Sequence, residues 1–155
     1  MIPATLRSAS TSASPASAPA ARRTVRQLLS LPQTAIAIAI GLALWFAGTQ
    51  LVLQGGRRGW LNEDFLWVPY ALTIPSGWVT VWLMRWAAGL QPAQILAAVT
   101  VGSAAATLAD GVALSWARSL YGTTPELVLP GAALILWGAG WVFVAAYLEL
   151  MRSAK

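Results

Sequence analysis

The sequence predicts an all-α integral membrane protein, a four-helix bundle with both termini in the cytoplasm. Three observations carry that expectation. Hydrophobic residues make up 57% of the 155 positions and charged residues only 10%, with a mean hydropathy of +0.64, whereas soluble domains are about 25% charged. Apolar residues gather in four runs, at about 33–53, 65–87, 92–119 and 126–150, each long enough to cross roughly 30 Å of hydrocarbon at about 1.5 Å per residue. Basic residues are spread unevenly around those runs, which is the usual signature of orientation.

Residues 1–30 are expected to form a disordered tail. They are rich in Ser, Ala and Pro, carry Arg7, Arg22, Arg23 and Arg26 without an acid, and show no helical periodicity. A transit peptide would share that composition, but the prolines oppose the amphipathic helix it requires. A cleaved secretory signal is disfavoured because the first apolar run is about twenty residues long, beyond the roughly 7–15 of a signal core. The membrane domain then occupies residues 31–155. Its connections carry turn chemistry: "QGGRRGWLNED" follows the first run, and "AGLQP" follows the second with Pro92 suited to a first helical turn. "YGTTPE" follows the third, with Thr124 as a cap and Pro125 at the helix start.

With both termini inside, the cytoplasmic side holds Arg7, Arg22, Arg23, Arg26, Arg85, Arg152 and Lys155, against Arg57, Arg58 and Arg118 outside. Seven to three obeys the positive-inside rule. Glu63, Asp64 and Glu126 then lie outside, leaving the outer loops near neutral. The basic inner face is a topology signal in preference to an anionic-ligand site. Nucleic acid is not an expected partner, because the basic residues flank apolar runs instead of clustering with exposed aromatics. The expected surroundings are the lipid bilayer of a bacterial inner membrane, with a homo-oligomer or a larger membrane complex as the partner class.

There is no cysteine and no histidine. That removes disulfides, thiolate nucleophiles, iron–sulfur ligation, imidazole ligands for zinc or haem, and the Ser-His-Asp triad. No catalytic residue, metal or cofactor is expected.

One ionisable group breaks the apolar runs: Asp110, within "AAATLADGVALSW". An aspartate near mid-bilayer costs roughly 2.5–3.5 kcal/mol on insertion scales, so it should face the bundle and have partners. Small residues at every fourth position mark the packing faces in membranes. The first run offers Ala35, Ala39, Ala43 and Ala47; the third offers Ala98, Gly102 and Ala106 leading to Asp110, beside a second row of Ala105, Ala109, Ala113 and Ala117. Asp110 lies nine residues before the outer end of its run, roughly 13 Å deep. Tyr70, Thr73, Thr49 and Gln50 lie at comparable or shallower levels and are its candidate partners in a ligand or proton site; Arg57 and Arg58 are candidate charge partners. Pro69, Pro75 and Pro130 fall in the same outer half and free backbone carbonyls there, which either outlines a small hydrated pocket or simply kinks the helices. The nine tryptophans fall mostly near run ends, as an aromatic belt requires, while Trp137 and Trp141 lie deeper, where Gly138 and Gly140 would admit a neighbouring helix.

The segments "GLALWFAGT" of the first run, "TLADGVAL" of the third and "LILWGAGWVFVAAYL" of the fourth resemble an uncharacterised family of small bacterial four-span membrane proteins, over about residues 36–149. The resemblance implies an architecture and no activity. The leading functional expectation is a structural or accessory membrane protein with Asp110 fixing helix register. The alternative is a small proton- or cation-coupled transporter or channel that uses Asp110, although no inverted repeat links the first two runs with the last two. A lipid-directed enzyme ranks third: Asp110, Glu63 and Asp64 would supply acid–base groups, but no nucleophile accompanies them.

Overall fold

The computed structural model describes residues 29–122 and 124–153. Residues 1–28 of the expected disordered tail, with Arg7, Arg22, Arg23 and Arg26, and the terminal Lys155 lie outside the described residues, whereas the last two residues of that tail, Leu29 and Ser30, are placed against the core and at the start of the first helix. Among the described residues, the chain is entirely helical: α1 (Leu31–Arg57), α2 (Trp67–Ala88), α3 (Ile95–Trp116) and α4 (Pro125–Ser153), with 3-10 turns at Pro92–Gln94 and Arg118–Leu120.

Each helix starts and stops for local reasons. Ser30 and Gln33 form a capping box before α1, with Pro32 in its first turn, satisfying amide donors that the helix itself leaves free. Helix α2 ends at Gly89, whose left-handed φ of 58° is free of a Cβ clash. Gln91 and Gln94 repeat the capping box around Pro92, one turn before α3. Pro125 opens α4 as expected, its missing N–H falling where none is needed. Helix α1 runs through both glycines of "QGGRR" to Arg57, four residues beyond its expected end. Helix α3 stops at Trp116, three residues short of its expected end.

By length and composition, three stretches can cross a membrane: Leu31–Arg57, Pro92–Trp116 and Pro125–Ser153. Helix α2 has 22 residues, about 33 Å at 1.5 Å each, so length does not exclude it. Its mean hydropathy is lower than theirs, because Trp67, Trp78, Trp82 and Trp86, together with Pro69, Tyr70, Pro75 and Arg85, replace aliphatic residues.

The helices associate mainly as α1 with α3 and α2 with α4. Both pairs are parallel. Gln33 meets Gln94 and Trp45 meets Asp110 along the first pair; Tyr70 meets Trp137 and Arg85 meets Glu149 along the second. The two pairs run antiparallel to each other, since Gln33 at the start of α1 donates to the carbonyl of Ala88 at the end of α2. The molecule thus has a Gln33 end and a Tyr121 end. The larger apolar cluster, with Ala37, Val81, Met84, Ile95, Val99 and Ala145, lies toward the Gln33 end; a smaller one of Val52, Leu61 and Leu134 lies toward the other.

Glycines set the closest approaches. A Cβ on Gly41 would collide with the carbonyl of Gly102, and one on Gly77 would stand 2.7 Å from the carbonyl oxygen of Trp141. The expected α1 packing row requires correction: Ala35, Ala39, Ala43 and Ala47 are all exposed, and the face against α3 is Ala37, Gly41, Trp45 and Thr49. A row two residues away lies about 200° round the helix, so two rows of equal spacing face opposite ways. On α3, Ala98 and Gly102 of the expected row are buried and Ala106 is half-buried, while Ala105, Ala109, Ala117 and the buried Ala113 line an apolar groove with Leu42 and Trp45.

Candidate functional site

Asp110 stands on α3 six residues before the helix ends at Trp116, about 9 Å from that end. Beyond Trp116 the chain turns through Arg118–Leu120, held by the backbone N–H of Ala117 on the Ala113 carbonyl and by Arg118 Nε, which donates to the Leu114 carbonyl at 2.8 Å. This turn sends Tyr121 back among the helices, where it is 0% exposed. Gly122 itself lies close against α4, since a Cβ there would stand 2.7 Å from Cβ of Leu127. Gly131 of α4 gives Val52 of α1 a similarly close approach, beside the Tyr121 carbonyl.

Three segments converge on one oxygen. The indole Nε1–H of Trp45 on α1 donates to Asp110 Oδ1 at 2.7 Å, and the Tyr121 hydroxyl donates to the same oxygen. The indole N–H also lies 3.2 Å from the Tyr121 hydroxyl oxygen, closing a triangle. Indole N–H and phenol O–H groups need partners when buried, and a carboxylate oxygen has the lone pairs to accept from both. Burial, and then the adjacent Asp110 carboxylate, push the Tyr121 phenol above its ordinary titration range. Oδ2 of Asp110 accepts no hydrogen bond among the described residues and is not sealed from the surface.

The sequence singled out Asp110 but neither of these partners. Trp45 is one of the tryptophans assigned to the belt and to packing, and Tyr121 opens the connection "YGTTPE" beyond the span. A usable signal exists: a mid-run tryptophan at the depth of a mid-run carboxylate carries a donor that cannot be left unmet in hydrocarbon.

The residues expected around Asp110 lie elsewhere. Thr49 is fully buried, but its hydroxyl donates to the Phe46 carbonyl of its own helix at 2.8 Å. The Gln50 side chain makes no hydrogen bond among the described residues. Thr73 donates to the Tyr70 carbonyl at 2.7 Å and Ser76 to the Thr73 carbonyl at 2.7 Å, in the turns around Pro75. Tyr70 belongs to the α2–α4 contact, its ring 5.7 Å from that of Trp137, whose Nε1–H donates to the Tyr70 carbonyl at 3.2 Å. Gly138 faces Thr73 of α2 as expected, a Cβ there standing 3.5 Å from Thr73 Cγ2, whereas Gly140 faces open space.

The two candidate charge partners also miss. Arg58 lies over the Trp60 ring, 5.4 Å from its centroid, and Arg57 is exposed at the end of α1. Among the described residues no arginine pairs with Asp110. The ion pair that is present joins Arg85 of α2 to Glu149 of α4 at 2.9 Å, near the Gln33 end. No group of three or more acidic, His or Cys side chains converges among the described residues.

No family model, no curated protein and no solved structure matches this chain.

Proposed function

We propose that the chain is a small multi-pass protein of a bacterial inner membrane, structural or accessory in function, that crosses the bilayer four times with both termini in the cytoplasm. Asp110 acts in it as a polar clasp. The observation that carries this is the convergence of Trp45 and Tyr121, from α1 and from the α3–α4 connection, on one Asp110 oxygen. A hydrogen bond to a charged group contributes about 1.5–3 kcal/mol. Two of them offset the roughly 2.5–3.5 kcal/mol insertion cost of the carboxylate. The Thr49 and Thr73 hydroxyls turn to carbonyls of their own helices, so neither is held by Asp110.

The fourth crossing rests on the parallel seam of α2 with α4, which extends from Tyr70–Trp137 to Arg85–Glu149 and gives α2 the depth of its neighbour. The sidedness rests on the seven-to-three distribution of basic residues. Such an architecture agrees with the resemblance to small four-span proteins.

The test is a mutant cycle in detergent. Asp110→Asn should lower stability by about 1.5–3 kcal/mol, and its combination with Trp45→Phe should cost clearly less than the two single losses added, because both remove one contact. Undiminished stability in Asp110→Asn would sink the clasp. One observation favours the alternative, a proton- or cation-coupled transporter or channel: Oδ2 of Asp110 is uncommitted. That alternative requires proton-dependent cation flux in vesicles that Asp110→Asn abolishes, whereas a stoichiometric partner from native membranes supports the accessory role.

A further inference from the structure

Three contacts between the helices join like with like. Gln33 meets Gln94, with Nε2 of Gln94 donating to Oε1 of Gln33 at 3.3 Å. Gly41 meets Gly102, backbone against backbone. Trp78 meets Trp141, ring centroids 6.4 Å apart. The first two pairs are 61 positions apart and the third 63. Contact of a residue with its own equivalent is what a two-fold axis produces in a self-complementary interface. Parallel pairing of α1 with α3, and of α2 with α4, places that axis along the helices.

A subset of residues recurs at the same offsets. At 61 positions Gln33, Ala37, Gly41, Ala43, Leu53 and Arg57 recur as Gln94, Ala98, Gly102, Ala104, Leu114 and Arg118. At 63 positions "GWVTV", from Gly77, recurs as "GWVFV", from Gly140. The local chemistry recurs as well: Gln33 and Gln94 are each the third residue of a capping box that opens with a proline in the first turn. Two extra residues lie between Gly102 and Trp141, the stretch containing the loop that carries Tyr121.

We infer that residues 30–88 and 91–151 are two copies of one helical hairpin, and that the face bearing Gln33, Gly41 and Trp78 is an interaction surface whose fitting partner is a second copy of the same hairpin. Fusion has made the pair permanent. A repeat of this kind is parallel, with its axis along the membrane normal, because each two-helix unit returns to the side where it began. The clasp is where the copies have diverged: Thr49 stands where the second copy has Asp110, and Ala106 where the first has Trp45.

The two-fold makes the step from the end of α4 to the start of α1 equal to the step from α2 to α3, which Gly89–Gln91 covers. A full chain in which the hairpins exchange order, residues 91–153 preceding 30–88 and joined by a second Gly-Leu link, should accumulate in membranes within about twofold of the parent. It should also melt within a few degrees of it. Since the chain has no cysteine, Gln33→Cys with Gln94→Cys can be cross-linked by a short bis-thiol reagent without background, in both hairpin orders. Cross-linking in both upholds the inference. It is overturned if the exchanged chain fails to accumulate with every link from two to eight residues, or if the pair fails to cross-link in the parent order.

Discussion

At Asp110 a single carboxylate oxygen accepts from an indole and a phenol, and that local chemistry has a pH signature. The Tyr121 phenol titrates above its ordinary value in the folded protein, while in the unfolded chain a tyrosine ionises near 10. Its contribution to stability is therefore complete below about pH 10 and declines as pH rises beyond it, because the unfolded state releases the proton first. Melting temperature in detergent should be flat toward pH 9.5 and fall above about 10, with the fall reduced in Tyr121→Phe. An equally steep fall in that variant would place the titrating group elsewhere. Sequence alone reached the carboxylate and missed both donors, since Trp45 is 65 positions from Asp110 and Tyr121 lies past the end of its helix. Spacing rules reach only a turn or two along one helix.

Helix seams depend on which small residues are internal. Gly41→Ala places a Cβ on the Gly102 carbonyl and should destabilise by about 1–3 kcal/mol, as overpacking does. Gly48→Ala and Gly140→Ala meet nothing within 4 Å and should be neutral or stabilising by about 0.5–1 kcal/mol, the helix preference for Ala over Gly. Chemical denaturation of the three variants would check this, and equal losses would contradict the described seam. The spacing of small residues was legible in α1, but two rows share it. Only the partner helix decides between Ala35–Ala39–Ala43–Ala47 and Ala37–Gly41. The pair Arg85–Glu149, with side chains 47% and 25% exposed, contributes little by comparison: an exposed pair adds about 0–1 kcal/mol, so Arg85→Ala should shift melting only slightly.

For the whole molecule, the consequential expectation is topology. Single cysteines at Asn62 and Ser119 in the otherwise cysteine-free chain should react with an impermeant maleimide from outside intact cells. One at Gln91 should react only after the membrane is opened. Labelling of Asn62 and Gln91 from the same side would remove α2 as a crossing helix and with it the four-span proposal. Helices α1, α3 and α4 reach the required apolar length on composition alone; α2 does not, and its case depends on the depth it shares with α4.

The helical class, the position of each helix to within a few residues and the anomaly of Asp110 are all legible along the chain. Those properties follow from local terms: apolar run length, capping residues, proline and glycine placement, and the cost of a charge in hydrocarbon. Tertiary structure alone decided which face of α1 is internal, that Trp45 and Tyr121 hold Asp110, and that like residues meet across the α1–α3 and α2–α4 seams. Each of these joins positions about 60 or more residues apart, or folds a loop back over its own helix. No local preference encodes such a meeting; it arises when four helices find the one arrangement in which glycines touch and buried donors find acceptors.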